Sequence, residues 1–146
     1  MTTGHPTFDH TVQEANRWLK ATAEELHFED RRHAYSALRA TLHALRDRLP
    51  PEAAVHFSAQ LPMVIRGLFF EGWKISGKPI EAHTVEAFCG RIAGELPATF
   101  PMDPATAARG VFEVVFRELD PGETEKVIDQ LPLPLRSLWP ALARRG

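Results

Sequence analysis

The sequence contains a single cysteine, Cys89, among its 146 residues. One cysteine excludes a disulfide framework and any metal site built from several thiolates. Positive charge is not in excess either, because 17 Lys and Arg residues face 19 Asp and Glu residues, for a formal net charge of −2. A nucleic-acid-binding protein normally carries a basic surplus, so we expect no nucleic-acid partner.

Long apolar runs are also missing. The most apolar stretch, around residues 61 to 70, contains Pro62 and Arg66 and is shorter than the roughly 20 residues that a membrane span needs. The first residues of the chain lack the apolar segment of a secretory signal. We therefore expect no membrane partner and a cytoplasmic location.

Motifs of catalysis and cofactor binding do not occur: there is no Gly-x-Ser-x-Gly, phosphate-binding loop or Gly-x-Gly-x-x-Gly. Cys89 lies on an apolar helical face, which is typical of a small buried side chain. Only one Glu-x-x-His is present, Glu24 to His27, whereas di-metal helical bundles use two. The sequence predicts no catalytic residue, no metal and no cofactor, and it does not favour an enzyme. We expect the histidines at the surface near helix ends and short basic clusters such as Arg46 and Arg48 in solvent.

An internal repeat is the most informative feature that is present. Residues 34–69 align without gaps to residues 104–139, and nine of these thirty-six positions are identical. Upstream, His10-Thr11-Val12 aligns with His83-Thr84-Val85 at a slightly larger offset. Chance would give roughly two identities, and two copies are too few for a solenoid. The pattern predicts one domain over 1–146, made of repeat one at 8–72, a linker at 73–83 and repeat two at 84–145.

Apolar residues recur every three or four positions along both repeats, which predicts helices. The expected starts carry capping residues or prolines at the first turn. These starts are Thr11, Asp30, Pro51, Pro62, Thr84, Asp103, Asp120 and Pro132. Residues 111–116 have a strand-like composition, but their aligned partner, residues 41–46, is helical in pattern. We therefore predict an all-α fold of about eight helices, in two duplicated four-helix halves packed around a pseudo-twofold axis.

Several segments resemble the domain of unknown function 2267 family of bacterial proteins. They are His10-Thr11-Val12 with Trp18-Leu19, then residues 42–50, Gln60-Leu61-Pro62 and residues 66–73. The resemblance covers nearly the whole chain. It implies a small, duplicated helical protein, and it brings no activity, substrate or cofactor.

The sharpest repeated motif is Gln-Leu-Pro-x-x-x-Arg, at residues 60–66 and 130–136. Its arginines, Arg66 and Arg136, lie on strongly apolar segments, where an unpaired buried charge costs several kcal/mol. One interpretation is structural: each arginine binds carbonyls that end the preceding helix and ties it to the next. The alternative is an anion site for phosphate or carboxylate, for which the candidates are Arg39, Gln60, Arg66, Arg109, Gln130 and Arg136. We expect the two proline-led helices to meet at the centre of the molecule.

Large aromatic residues gather on the same two segments. Phe69, Phe70, Trp73 and Trp139 are of the types that dominate protein interfaces, although they also suit the core of one compact domain. The sequence favours a protein-interaction or self-association module, with a protein partner or a homo-oligomer. A ligand-binding or regulatory domain with an anion site near the repeated arginines is the second hypothesis.

Overall fold

The computed structural model describes residues 4–144, and within that range all regular structure is helical. The predicted all-α class is therefore confirmed. Within these described residues, eight α-helices and one short 3-10 helix follow one another. They are α1 Pro6–Leu26, α2 Arg31–Arg48, α3 Pro51–Ser58, α4 Met63–Phe70, α5 Val85–Glu95, α6 Pro104–Glu118, α7 Pro121–Asp129, α8 Leu133–Arg136 and the 3-10 helix Ala141–Ala143.

Most helix starts lie where side-chain caps were expected. In each of four helices the capping oxygen accepts a hydrogen bond from a backbone N–H of the first turn, which satisfies one of the free donors there. The strand-like residues 111–116 lie inside α6, as their aligned partner predicted. The four caps are Asp30 on α2, Thr84 on α5, Asp103 on α6 and Asp120 on α7.

The first helix begins earlier than predicted. Pro6 occupies its first turn and the ring of His5 accepts from the Thr7 N–H at 3.2 Å. The expected cap, Thr11, lies inside the helix and donates its hydroxyl to Phe8 O at 2.7 Å. The predicted start was wrong because a proline in the first turn, with a histidine ring as cap, serves as well as a capping box.

The last α-helix has only four residues. α8 ends at Arg136, and the chain continues through a turn into the 3-10 helix. Pro140 follows Trp139 at this point. A proline disfavours helical backbone at the residue before it and donates no hydrogen bond itself, so residues 137–143 do not form a continuous helix.

The core lies around α2 and α6, which pack against each other and against α1 and α5. At its centre the rings of Phe112 and Trp139 stack with centroids 4.1 Å apart. α1 approaches α6 closely at Gly110, where an added Cβ would lie 2.2 Å from the Cδ2 of Leu26. This glycine therefore lets the Leu26 side chain pack directly against α6, and an alanine there would displace that side chain.

The main packing partners of the two proline-led helices differ. Among the described residues, α4 packs mainly on α1 and α2, and α8 packs mainly on α5. The expectation that α4 and α8 meet at the centre of the molecule is therefore not confirmed and stays a prediction. The duplication and its pseudo-twofold arrangement stay predictions from the sequence. No helix within residues 4–144 has the length and apolar character that crossing a membrane requires.

Candidate functional site

The first repeated arginine binds backbone carbonyls. Arg66, on α4, donates from Nε to Ser58 O at 3.0 Å and from Nη2 to Leu61 O at 2.9 Å. A longer bond of 3.5 Å reaches Ala59 O. These carbonyls belong to the end of α3 and to the turn after it, where helical partners have run out. Arg66 thus ties the end of α3 to the start of α4.

The second repeated arginine makes the same kind of contact. Arg136 donates from Nε to Leu131 O at 3.0 Å and from Nη2 to Asp129 O at 3.1 Å. Both acceptors stand at positions that the sequence alignment pairs with acceptors of Arg66, namely Leu61 and Ala59. The hydrogen bonds match the structural role that the sequence suggested for this motif, since a guanidinium can serve several carbonyls at once.

The repeated glutamines lie at the ends of α3 and α7. Gln60 and Gln130 are both exposed, and each donates its backbone N–H at 3.0 Å, to Phe57 O and Val127 O respectively. Neither side chain forms a hydrogen bond within the described part of the chain. Their role in the fold is therefore carried by the backbone.

Arg39 is held in a network that the sequence did not reveal. Its Nε donates to Glu71 at 3.1 Å and its Nη1 donates to Glu95 at 2.8 Å. The buried ring of His43 lies 2.8 Å from Glu95 through Nδ1 and 2.8 Å from Leu68 O through Nε2. One contact of the ring is to a carboxyl group and the other is to a backbone carbonyl. The network joins α2, α4 and α5.

The expectation of a solvated basic cluster at the end of α2 was wrong. Arg46 is 4% exposed and Asp47 is 7% exposed. Arg46 donates from Nε to Asp47 at 2.8 Å, and its Nη1 donates to Phe69 O at 3.1 Å and Glu71 O at 2.7 Å. The guanidinium therefore closes the C-terminal end of α4, where carbonyls lack helical partners.

The segment after α4 is attached to the same turn of α2. Arg48, also buried, donates from Nε to Ala82 O at 3.1 Å. The N–H of Ile80 donates to Asp47 O at 2.9 Å. Burial lowers the pKa of the Arg48 guanidinium, because desolvation disfavours its charged form.

The prediction of surface histidines fails for His43. This histidine lies inside α2 and is covered by packed neighbours.

The four predicted interface aromatics divide into two groups. Phe69 and Trp139 are 0% and 2% exposed and belong to the core. Phe70 and Trp73 are half-buried and pack on each other with ring centroids 5.1 Å apart. The Nε1 atoms of Trp73 and Trp139 are buried and have no hydrogen-bond partner within residues 4–144.

An apolar groove of about 450 Å³ lies between α1, α2 and α4. We call it the α4 groove. Val64 and Tyr35 on its walls are each 45% exposed. The sequence did not predict it, because its residues belong to the same helical stripes that form the core. Its main apolar lining is Ala15, Leu19, Tyr35, Val64, Gly67 and Leu68.

A second cavity of about 540 Å³ lies between the end of α1, α6 and the segment after α8. We call it the α6 pocket. Arg109, the remaining candidate of the predicted anion site, lines it together with Glu113 and Arg144, above a floor that includes Leu26 and Trp139. The six candidates thus do not share one site, because Arg39, Arg66 and Arg136 are each bound elsewhere. The described residues hold no group of three or more potential metal ligands.

The chain matches a family model described as "Uncharacterized conserved protein (DUF2267)" over residues 15–138. Since the match spans most of the sequence, the chain belongs to this family, as its resemblance indicated. No curated protein matches the chain. The family description assigns no activity.

Proposed function

We propose that this member of the DUF2267 family is a self-association module, in which the α4 groove of one copy receives α4 of a second copy. The observation that carries the proposal is Gly67. A glycine inside a helix costs about 1 kcal/mol relative to alanine. A Cβ at Gly67 would meet no atom within 4 Å, so packing within one copy gives no reason for a glycine there. Glycines with the same open surroundings occur in α5, but Gly67 differs from them because it lines the α4 groove, which it deepens for the close approach of another surface.

The helix beside the groove offers a matching ridge. Met63 and Val64, in the first turn of α4, are 57% and 45% exposed. A two-fold interface brings the same patch of both copies together. A ridge and a groove on one helix satisfy this condition, because the ridge of each copy can fill the groove of the other. Tyr35 at the edge adds the apolar surface and hydroxyl that suit interface positions.

Charge does not oppose the association of two copies. The formal net charge of −2 is small for 146 residues, so long-range repulsion between identical molecules is weak. A second copy also supplies the ridge of Met63 and Val64, so the fit between ridge and groove needs no other protein. These points favour a homodimer over a partner of different charge or shape.

The experiment is sedimentation velocity over a concentration series, with Val64→Asp as the test variant. Val55→Asp is the matched control, because Val55 lies on α3 away from the groove and is 51% exposed. We expect the wild type and Val55→Asp to reach the mass of a dimer at high concentration, while Val64→Asp stays a monomer. A monomeric wild type at every concentration would contradict the proposal, and so would association of Val64→Asp at the wild-type level.

A glycine pair gives a second, independent readout. Gly67→Ala restores helix propensity, so it should raise thermal stability while weakening association. Gly90→Ala, in α5, is the control, since a Cβ at Gly90 also meets nothing within 4 Å. It should raise stability and leave the dimer unchanged. Equal association of the two variants would remove the argument from Gly67.

A ligand-binding or regulatory domain with an anion site is the second candidate function. The observation in its favour is Arg109, which forms no hydrogen bond or ion pair with any residue of the described chain and lines an open cavity. Arg39, Arg66 and Arg136 do not support it, because internal acceptors already bind them.

A further inference from the structure

We propose that the α6 pocket binds a small organic carboxylate with an apolar body, and that Arg109 holds the carboxylate. This inference rests on the second candidate function and names its site and ligand class. It is independent of self-association, because the α6 pocket and the α4 groove have different lining residues.

Arg109 and its aligned counterpart in the first repeat differ in their partners. Arg39 stands 70 positions earlier and binds the carboxylates of Glu71 and Glu95. The position aligned with Glu71 is Ala141, which lines the α6 pocket. A methyl group therefore stands in the second half where the first half supplies a carboxylate.

The second carboxylate of the Arg39 network has no counterpart either. At the offset of the upstream repeat, Glu95 aligns with Thr22. Thr22 is buried and donates its hydroxyl to Trp18 O at 2.9 Å. It offers nothing negative to Arg109. The arginine is thus retained while both of its expected acceptors are replaced, and a cavity lies beside it.

The chemistry of the cavity then selects the ligand. Guanidinium binds carboxylate with two parallel hydrogen bonds. A second cation, Arg144, also lines the cavity and likewise has no ion-pair partner within residues 4–144. Glu25, which pairs with Arg117 at 3.1 Å, and Glu113 also line the cavity. Negative charge there would repel a doubly charged phosphate more than a single carboxylate. A monocarboxylate fits this balance of charge.

The apolar side of the cavity accounts for the rest of the ligand. Leu26, Leu138 and Trp139 contribute to its wall, and Trp139 is fixed by its stack on Phe112. The volume of about 540 Å³ lies within the usual range of small-molecule sites. An aromatic or aliphatic body would therefore cover the wall while its carboxylate meets Arg109.

The test follows the indole N–H signal of Trp139 by NMR while phenylacetate or octanoate is added. The chain has three tryptophans, and Trp139→Phe identifies the signal. Phenylacetamide and inorganic phosphate are the control ligands, since the first lacks the charge and the second lacks the apolar body. We expect at least one carboxylate to shift the Trp139 signal saturably and neither control to do so.

Three variants make the assignment specific. Arg109→Gln should weaken carboxylate binding at least tenfold, as the loss of a charge-assisted pair predicts. Ala141→Glu should abolish binding and raise the melting temperature, because it supplies the carboxylate that Arg39 receives from Glu71. Arg31→Gln, at an exposed arginine on α2, should bind as the wild type does.

The outcomes separate the pocket from the function on which it rests. Carboxylate binding that survives in both Arg109→Gln and Ala141→Glu would overturn the α6 pocket as its location and leave an anion-binding domain standing. Binding of phosphate but of no carboxylate would overturn the ligand class. If no carboxylate and no phosphate changes any signal, both the pocket and the anion-binding function are wrong.

Discussion

The structural role of the repeated arginines leads to the most quantitative prediction. Arg66→Met removes two short hydrogen bonds, at 3.0 and 2.9 Å, and a longer one at 3.5 Å, from carbonyls at the end of α3 and in the turn after it. A hydrogen bond from a charged donor is worth about 1.5–3 kcal/mol. Each bond from an exposed guanidinium contributes less than that, because water competes for the same acceptors. We therefore expect a loss of about 2 kcal/mol in the free energy of unfolding. For a chain of this size that loss lowers the melting temperature by about 4–8 °C.

Arg136→Met should cost a similar amount, because its two bonds are 3.0 and 3.1 Å long. The measurement is urea unfolding followed by circular dichroism, with thermal melting as a second readout. Arg31→Met is the matched control, since Arg31 is exposed and forms no hydrogen bond or ion pair within the described residues. It should change stability by less than about 0.5 kcal/mol.

Arg66→Lys separates geometry from charge. Lysine keeps the positive charge but presents a compact ammonium in place of the planar fork, so it should recover less than half of the loss. The reasoning would be refuted if Arg66→Met and Arg136→Met unfolded like Arg31→Met. It would also be refuted if phosphate stabilised the wild type but neither of the two methionine variants, because the arginines would then form an anion site.

Three further predictions concern packing, pH and thiol chemistry. Gly110→Ala should be less stable than Gly90→Ala by about 1–3 kcal/mol in urea unfolding. Both alanines gain the same helix propensity, but only the one at position 110 overpacks the contact with Leu26. Equal stabilities would contradict the close approach at α6. Hydrogen bonds from the Arg32 side chain and N–H lower the pKa of Asp30. The ionised carboxylate therefore stabilises α2 fully when the pH is above the ordinary carboxyl pKa. This contribution disappears as the pH falls through the lowered pKa of the folded state. Asp30→Asn should therefore be less stable than the wild type at neutral pH and equal to it in strong acid; a difference that persists in acid would contradict this assignment. Burial raises the pKa of the Cys89 thiol, so iodoacetamide should alkylate it more slowly than free cysteine at pH 8, and a faster reaction would contradict that shift.

Helix positions were largely predictable from sequence because their signals are local. The caps of α2, α5, α6 and α7 each combine a short polar side chain with an apolar pattern that follows at once. The start of α1 was not predictable because His5 is an uncommon cap, and the end of α8 was not predictable because apolar residues continue on both sides of Pro140.

The buried polar contacts were not predictable because they join residues far apart in the sequence. Glu95 lies 52 positions from His43 and 56 from Arg39, and neither periodicity nor repeat alignment connects them. Arg46 looks like a solvated residue on the helical pattern alone. Its burial depends on how the end of α4 and the following segment cover α2.

The candidate sites were predictable only in part for the same reason. The repeat singled out four arginines by type and position, and the alignment also identified the acceptors that Arg109 lacks. Which arginine faces a cavity was a matter of tertiary packing. The α4 groove was hidden because a partly filled helical stripe and a fully filled one have the same sequence period.

The most direct test of self-association is an NMR experiment on mixed copies, one isotopically labelled and one unlabelled, at a concentration where association is complete. The account predicts intermolecular contacts from the methyl groups of Met63 and Val64 in one copy to those of Leu19 and Leu68 in the other. Contacts confined to another exposed apolar residue, such as Leu133 on α8, or no intermolecular contact at all, would contradict it.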